Sequence, residues 1–285
     1  MKKILFFGSI LCMGAMYLFT SCSSTANKPE SSPEVQQIKG NHKMWITLTV
    51  SEGKRLIAKG LKHYAPVAES LQKGQVLITT GSTNHYIAEE FLNETLVPGS
   101  LLTGHLVPKK NYTPKQVSQQ LGSVYLEDGE AKAQPLNESL ALLKEGAIAF
   151  KGGNLLNYHQ KKAAVLVGSP TGGTIGALTP LAESGKIRLI IPIGLEKDSS
   201  EDIETTVARI VELGQTPTLK VIPGEVFTEI EAIKTLANVE VIHIASGGIG
   251  GAEGAITLLI RGEEEEVAKI TKVLEEIQGE VPFFD

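Results

Sequence analysis

Beyond residue 43 the chain alternates short apolar runs with longer stretches whose apolar residues recur at helical spacing. Met44–Val50 reads as a strand. Ser51 and Glu52 open a helix that reaches Leu61, and a second helical stretch, Tyr64–Leu71, stops at Gly74. QVLITT (Gln75–Thr80) reads as a buried strand, followed by a helix from about Asn84 to Asn93. Gly146–Phe150, Lys162–Ser169 and Ile187–Gly194 are further apolar runs, with a helix beginning near Thr174. Non-alternating apolar runs joined by helical crossovers imply a mostly parallel sheet. Val97–Leu143, rich in Pro and Gly, reads as irregular connection ending in a helix near Pro135–Leu143.

The last third has another rhythm: a helix from Ser200, a strand at Leu219–Pro223 and a helix over Glu225–Ala237. Strands at Val239–Ala245 and Ala255–Gly262 follow, then a helix over Glu263–Ile277. That β-α-β-β-α order suggests a ferredoxin-like unit. The expected fold is therefore α/β, a mostly parallel Rossmann-like sheet over 44–197 with a smaller α+β part over 198–285.

The first residues break the pattern. Lys2 and Lys3 precede an apolar run, Ile4–Phe19, and Thr20-Ser21-Cys22 follow. A positive start, a short apolar core and small residues at its end form an export signal, and the run is short for a bilayer span. Phe19-Thr20-Ser21-Cys22 resembles a bacterial lipobox with Phe in place of the usual Leu. Residues 1–21 are thus expected to be a signal peptide and Cys22 the lipidated residue. An uncleaved anchor helix, or a signal peptide without lipidation, is the alternative. Residues 22–43, rich in Ser, Pro and polar side chains, read as a flexible tether. The expected location is a cell or outer membrane, lipid-anchored, with the folded part exported.

Composition adds exclusions. The 285 residues are 42% hydrophobic and carry a formal net charge of -5, without a basic stripe, which argues against nucleic acid as a partner. Cys12 and Cys22 are the only cysteines, so beyond the signal no disulfide or cysteine metal site can form. The histidines lack metal-ligand spacing such as His-Glu-x-x-His, so no metal and no cofactor is expected.

Three glycine- and hydroxyl-rich turns follow apolar runs. Thr80-Gly81-Ser82-Thr83 precedes a helix whose free N–H groups and dipole suit an anion, with His85 on its first turn. Lys151-Gly152-Gly153 places a lysine at a strand end, and Ser169 through Gly173, with Thr171 and Gly172, fits an anion nest. Each is equally an ordinary capped turn or a solvated lysine. Ligands of open α/β sheets sit beyond the carboxyl ends of strands, so three turns on one edge would form a shared cleft for an anionic small molecule. His85 and His159 are candidates to face each other across it.

Residues 51–170 resemble the superfamily of ribose-5-phosphate isomerase, glucosamine-phosphate deaminase and CoA-transferase. The motifs are GQVLITTGSTNHYIAEEF, like the isomerase's Gly-Thr-Gly-Ser-Thr phosphate loop, and AIAFKGGNLLNYHQKKAAVLVGS, like its Lys-Gly-Gly segment. The resemblance implies a phosphate site at Thr80–Thr83 and Lys151–Gly153. The isomerase's Asp-Gly-Ala-Asp-Glu segment is not matched, and Gln160 stands at its catalytic glutamate; an amide cannot serve as general base. The expectation is a lipid-anchored protein that binds a phosphorylated or otherwise anionic molecule without isomerase chemistry. The alternatives are an enzyme of the same superfamily whose carboxylate is relocated to Glu89, Glu90, Asp128 or Glu130, and a surface lipoprotein used for protein contacts. Ser169 with His159 lacks a Gly-x-Ser-x-Gly elbow, which argues against a triad. Gly247–Gly254, between two strands, reads as a flexible loop able to act as a lid.

Overall fold

The computed structural model describes residues 40–104, 106–107, 120–214 and 216–282. The expected signal peptide and the expected lipidation residue Cys22 lie outside them. The described residues form one compact unit. In chain order its elements are β1 (His42–Leu48), α1 (Val50–His63), α2 (Ala65–Gln72), β2 (Gln75–Thr79) and α3 (Ser82–Leu92). Next come β3 (Ser123–Glu127), β4 (Glu130–Ala133), α4 (Leu136–Leu142), β5 (Ala147–Phe150), β6 (Leu155–Asn157) and β7 (Lys162–Val167). The chain continues with α5 (Gly173–Glu183), β8 (Ile187–Pro192), α6 (Ile203–Glu212), β9 (Thr218–Val221) and β10 (Glu225–Phe227). It ends with α7 (Glu229–Leu236), β11 (Glu240–Ser246), β12 (Ile256–Gly262) and α8 (Glu264–Ile277).

The protein is mixed α/β. Its central sheet has six strands in the order β10-β8-β5-β2-β3-β4. The first four are mutually parallel; β3 and β4 are antiparallel to their neighbours. All five residues of β2 are buried, as a mid-sheet strand covered on both faces requires. Its amide-bearing member, Gln75, is satisfied. Nε2 donates to Tyr125 Oη at 2.7 Å and to Leu142 O at 3.1 Å, and Lys144 N–H donates to Oε1 at 2.7 Å. The segment expected to be irregular contains the β3–β4 hairpin, turned at Asp128-Gly129 with both φ values positive (52° and 82°).

Helix α1 begins with a capping box between Thr49 and Glu52. It packs against α7 closely enough that a Cβ added to Gly60 would lie 2.5 Å from Ala232 Cα and Cβ. Gly53, two turns earlier on the same stripe, faces Glu229 in the same way.

Two expectations are corrected by the strand pairing. β7 does not join the parallel sheet; it pairs antiparallel with β6 and β9 in a separate three-stranded sheet. The cause is local: the turn Tyr158–Lys161, with Lys161 at φ 52°, folds β7 back on β6 as a hairpin. The ferredoxin-like C-terminal unit is also dispersed. β9 lies with β7, β10 is an edge strand of the central sheet, and β11 and β12 form a third, antiparallel sheet with β1 in the order β1-β12-β11. Strand pairing thus crosses the expected division at 197/198 in all three sheets. Among the described residues no helix is long and apolar enough to cross a membrane.

Candidate functional site

The four parallel strands end on one edge of the central sheet, where open α/β sheets place ligands. Four connections leave that edge: Thr80–Thr83 after β2, Lys151–Asn154 after β5, Ile193–Lys197 after β8 and Thr228-Glu229 after β10. Adjacent strands stand about 4.8 Å apart, so β2 and β8, two strands apart, end roughly 10 Å from one another.

At β2, α3 begins at Ser82 without a side-chain cap, leaving its first N–H groups uncommitted to any capping side chain. Gly81 N–H donates to Leu101 O at 2.8 Å, which fixes the turn. The Thr80 hydroxyl lies 2.9 Å from that of Thr103 and is buried, so Thr80 holds the turn's shape. Asn84 ties the ends of β2 and β5: its Nδ2 donates to Thr79 O at 2.9 Å and Phe150 O at 3.1 Å. Its Oδ1 is buried with no hydrogen-bond partner among the described residues. Thr79 Oγ1 donates to Phe150 O at 2.7 Å, closing the same junction.

One strand over, Lys151 begins the next connection, its N–H donating to Ile190 O at 3.1 Å. Its side chain is mostly buried, burial alone lowers its pKa, and no carboxylate among the described residues pairs with it. Gly153 packs between β7 and the turn after β8: a Cβ there would meet Ile193 Cδ1 at 2.9 Å and Ala164 O at 3.1 Å. The second glycine is therefore required by packing, whatever its ligand role.

The third and fourth connections carry groups that sequence reasoning missed. Glu229 is 2% exposed; its Oε2 accepts from Leu195 N–H at 3.0 Å. Its carboxyl fits between two glycines, since a Cβ on Gly53 would be 2.7 Å and one on Gly194 2.9 Å from Oε1. Glu196, on the turn after β8, presses on the same face of Gly194 and pairs with the Lys197 ammonium. Burial, then the neighbouring Glu196 charge, pushes the Glu229 pKa up to about 8. Lys54, on the first turns of α1, is brought down to about 8 by burial and the Lys197 charge, against the pull of Glu196 and Glu229. A carboxyl whose pKa is raised and an amine whose pKa is lowered thus share the edge with the uncapped helix. The signal was present at EVFTEIEAIKTLA, read above as one helix. Glu225–Phe227 is a strand and Thr228 with Glu231 a capping box, which puts Glu229 at a strand end.

The structure brings Thr80–Thr83 and Lys151–Gly153 together on adjacent strands, but not the remaining candidates. Ser169, Thr171 and Gly172 follow β7, which lies in the other sheet. The hydroxyls of Ser169 and Thr171 lie 3.0 Å apart, and Lys220 Nζ is 2.9 Å from where a Cβ on Gly172 would stand. Thr171 and Lys220 border a separate surface trough of about 590 Å³ with Val207, Val211 and Leu219.

His85 does not face the cleft: it is 1% exposed, with Nε2 3.3 Å from Glu89 Oε1, one turn along its own helix. Next to it Arg55 pairs with Glu89 at 2.6 Å, Glu90 at 3.2 Å and Glu280 at 2.9 Å. Glu89 and Glu90 are thereby committed to an ion-pair cluster. Asp128 and Glu130 lie at the hairpin beside the start of β2, since Glu127 pairs with Gln75, the edge opposite Thr80. His159 borders a different depression, with Asp198 and Asp202. Gln160 is structural: its Nε2 donates to Asp202 Oδ2 at 2.7 Å, and Asp202 caps α6. Among the described residues no three His, Cys, Asp or Glu side chains cluster as metal ligands.

The site and fold thus define a mixed α/β protein with charged and helix-terminal groups along the carboxyl edge of its parallel strands. Comparison of the chain with protein-family models, curated proteins and solved structures finds no match.

Proposed function

We propose that the chain is an exported, lipid-anchored protein whose carboxyl-edge cradle binds a small anionic molecule, with a phosphorylated one the best fit. The parallel strands and their helices are read as a Rossmann-like core on the plan of the isomerase and CoA-transferase superfamily. The observation that carries the proposal is Lys151. A mostly buried ammonium without a carboxylate partner is costly, and an anion held between it and the uncapped start of α3 offsets that cost. The buried, unpartnered Asn84 Oδ1 at the same junction adds an acceptor for a ligand hydroxyl. Ser82 and Thr83 supply N–H groups and hydroxyls; Ser169, Thr171 and Gly172 take no part.

The test is thermal unfolding of the full chain with inorganic phosphate, ribose 5-phosphate, other sugar phosphates and coenzyme A. Ligand at 100 times Kd adds about 2.7 kcal/mol of stability. A rise in Tm with at least one of them in the native chain, absent in Lys151→Met, supports the reading. No shift with any, or equal shifts in both chains, removes it.

The Glu229–Lys54 pair favours a second reading, an enzyme of the same superfamily whose carboxylate has moved to Glu229. An anion held at α3 leaves roughly 10 Å of ligand reaching toward β8 and β10, where that pair stands. A carboxyl poised near neutral pH suits general acid–base transfer of a proton. Deuterium uptake from solvent into a bound sugar phosphate, lost in Glu229→Gln while binding persists, is the expected sign. No uptake into any ligand that binds leaves the binding reading alone.

A further inference from the structure

The three-stranded sheet β1-β12-β11 buries one face and exposes the other. Met44, Ile46 and Leu48 of β1 point inward, where the Thr271 hydroxyl of α8 meets Met44 Sδ at 3.1 Å. Trp45 points the other way and is 73% exposed, although it is the only tryptophan in the chain. The register sets Trp45 opposite Leu259, and Leu259 opposite Ile242, so one apolar row crosses all three strands. Ile242 and Ile244 are exposed as well. The row continues toward the β11–β12 loop, where Ile249 is 90% exposed between Gly247-Gly248 and Gly250-Gly251. Added Cβ atoms on Gly247, Gly250 and Gly251 would touch nothing, so the loop stands clear of the body. The loop's one carboxylate, Glu253, is turned back onto Gly251 N–H at 2.9 Å.

The charges around the row nearly cancel. Arg261 and Glu240 face each other across β12 and β11 at 2.8 Å, with Lys43 beside them on β1. Such a face is fitted to an apolar interface with a polar rim and not to a strongly charged partner. Patches of this kind on a folded surface mark interaction sites, and tryptophan favours the boundary between water and lipid.

What lies against it follows from where the chain enters. β1 begins at His42, three residues before Trp45, and the 19 residues Ser23–Asn41 separate the strand from Cys22. A chain of that length reaches at most about 65 Å. With Cys22 in the bilayer, β1 is held beside the lipid surface at an effective concentration in the millimolar range, where a weak apolar contact suffices.

We infer that the outer face of this sheet docks on the lipid bilayer, with Trp45, Leu259 and Ile242 at the interface and Ile249 as the inserting tip. The inference rests on the lipid-anchored reading above. It makes the anchor and the sheet two contacts of one attachment, and gives the folded part a fixed orientation on the membrane.

The single tryptophan makes the face its own reporter. The lipidated chain is reconstituted on phosphatidylcholine vesicles, some carrying bromine on the upper acyl chain. Trp45 emission should shift to the blue and be quenched by the brominated lipid. Ile249→Asp, at a position free of packing, should still float with the vesicles through its lipid but lose most of that quenching. Emission that stays water-like on floated vesicles overturns the inference. So does a blue shift that appears without vesicles and grows with protein concentration, which assigns the face to a second copy. Cys22→Ala separates the two readings. If the native chain fails to float, the anchor reading falls, and quenching of Cys22→Ala at high lipid concentration decides the sheet's role alone. Quenching there supports docking, weakened about tenfold or more by Ile249→Asp, the order expected for one buried aliphatic side chain; its absence ends the inference.

Discussion

Replacing Glu229 by Gln tests whether a proton is stored at the sheet edge. The carboxyl is 2% exposed, accepts from Leu195 N–H at 3.0 Å and stands beside Glu196, Lys197 and Lys54. Its pKa is raised in the fold, so the folded chain holds a proton that the unfolded chain releases above the ordinary glutamate value. The stability this group provides is complete below that value and is lost as pH rises toward about 8. One proton of difference gives a slope of at most about 1.4 kcal/mol per pH unit, hence on the order of 2 kcal/mol between pH 5.5 and 7.5. Lys54 does not blur the window. Its lowered pKa makes stability rise only above about 8, and its contribution is flat below that. Gln keeps the shape and the acceptor for Leu195 but cannot ionise. Urea unfolding followed by circular dichroism, at pH 5.5, 6.5 and 7.5, gives the difference between native and variant chains, in which titrating groups away from the site cancel. That difference should close or reverse by on the order of 2 kcal/mol across the range. Parallel curves would refute the argument, because a misfitting amide adds an offset but no slope.

Three further outcomes are expected. Arg55→Ala leaves the carboxylates of Glu89, Glu90 and Glu280 converging without their cation, and should cost about 3–5 kcal/mol in the same unfolding assay at pH 7. Gly60→Ala improves helix propensity by up to about 1 kcal/mol but forces α1 from Ala232; a net loss of about 1–2 kcal/mol should appear as a lower urea midpoint. Ser169→Ala, on a turn outside the central sheet, should leave the affinity for any ligand identified by thermal shift within about twofold, measured by calorimetry, whereas Lys151→Met should weaken it about tenfold or more.

Much of the fold is legible because local chemistry decides it. The helix after Thr49 carries its capping box in the residues themselves, and β2, β5 and β8 are apolar runs bounded by Gly, Pro or Thr. Which strands pair is not legible. An apolar run such as Lys162–Val167 looks the same whether it enters a parallel sheet or an antiparallel one, and only the Tyr158–Lys161 turn sends this run to β6. That single pairing removes Ser169, Thr171 and Gly172 from the edge. β10 escapes for a related reason: three residues are too few for a period, so Glu225–Phe227 merges with the helix behind it and hides Glu229 inside. His85 shows a third limit. The pattern places it on the first turn of a helix, as found, but the direction of its side chain is set by Glu89 one turn on.

The central claim is that an anion sits where β2 and β5 end. Diffraction from crystals of the protein soaked in tungstate locates it directly. Tungstate is expected within hydrogen-bond distance of the Ser82 and Thr83 N–H groups and of Lys151 Nζ. Tungstate found only beside Thr171 and Lys220, or at neither place, would contradict it.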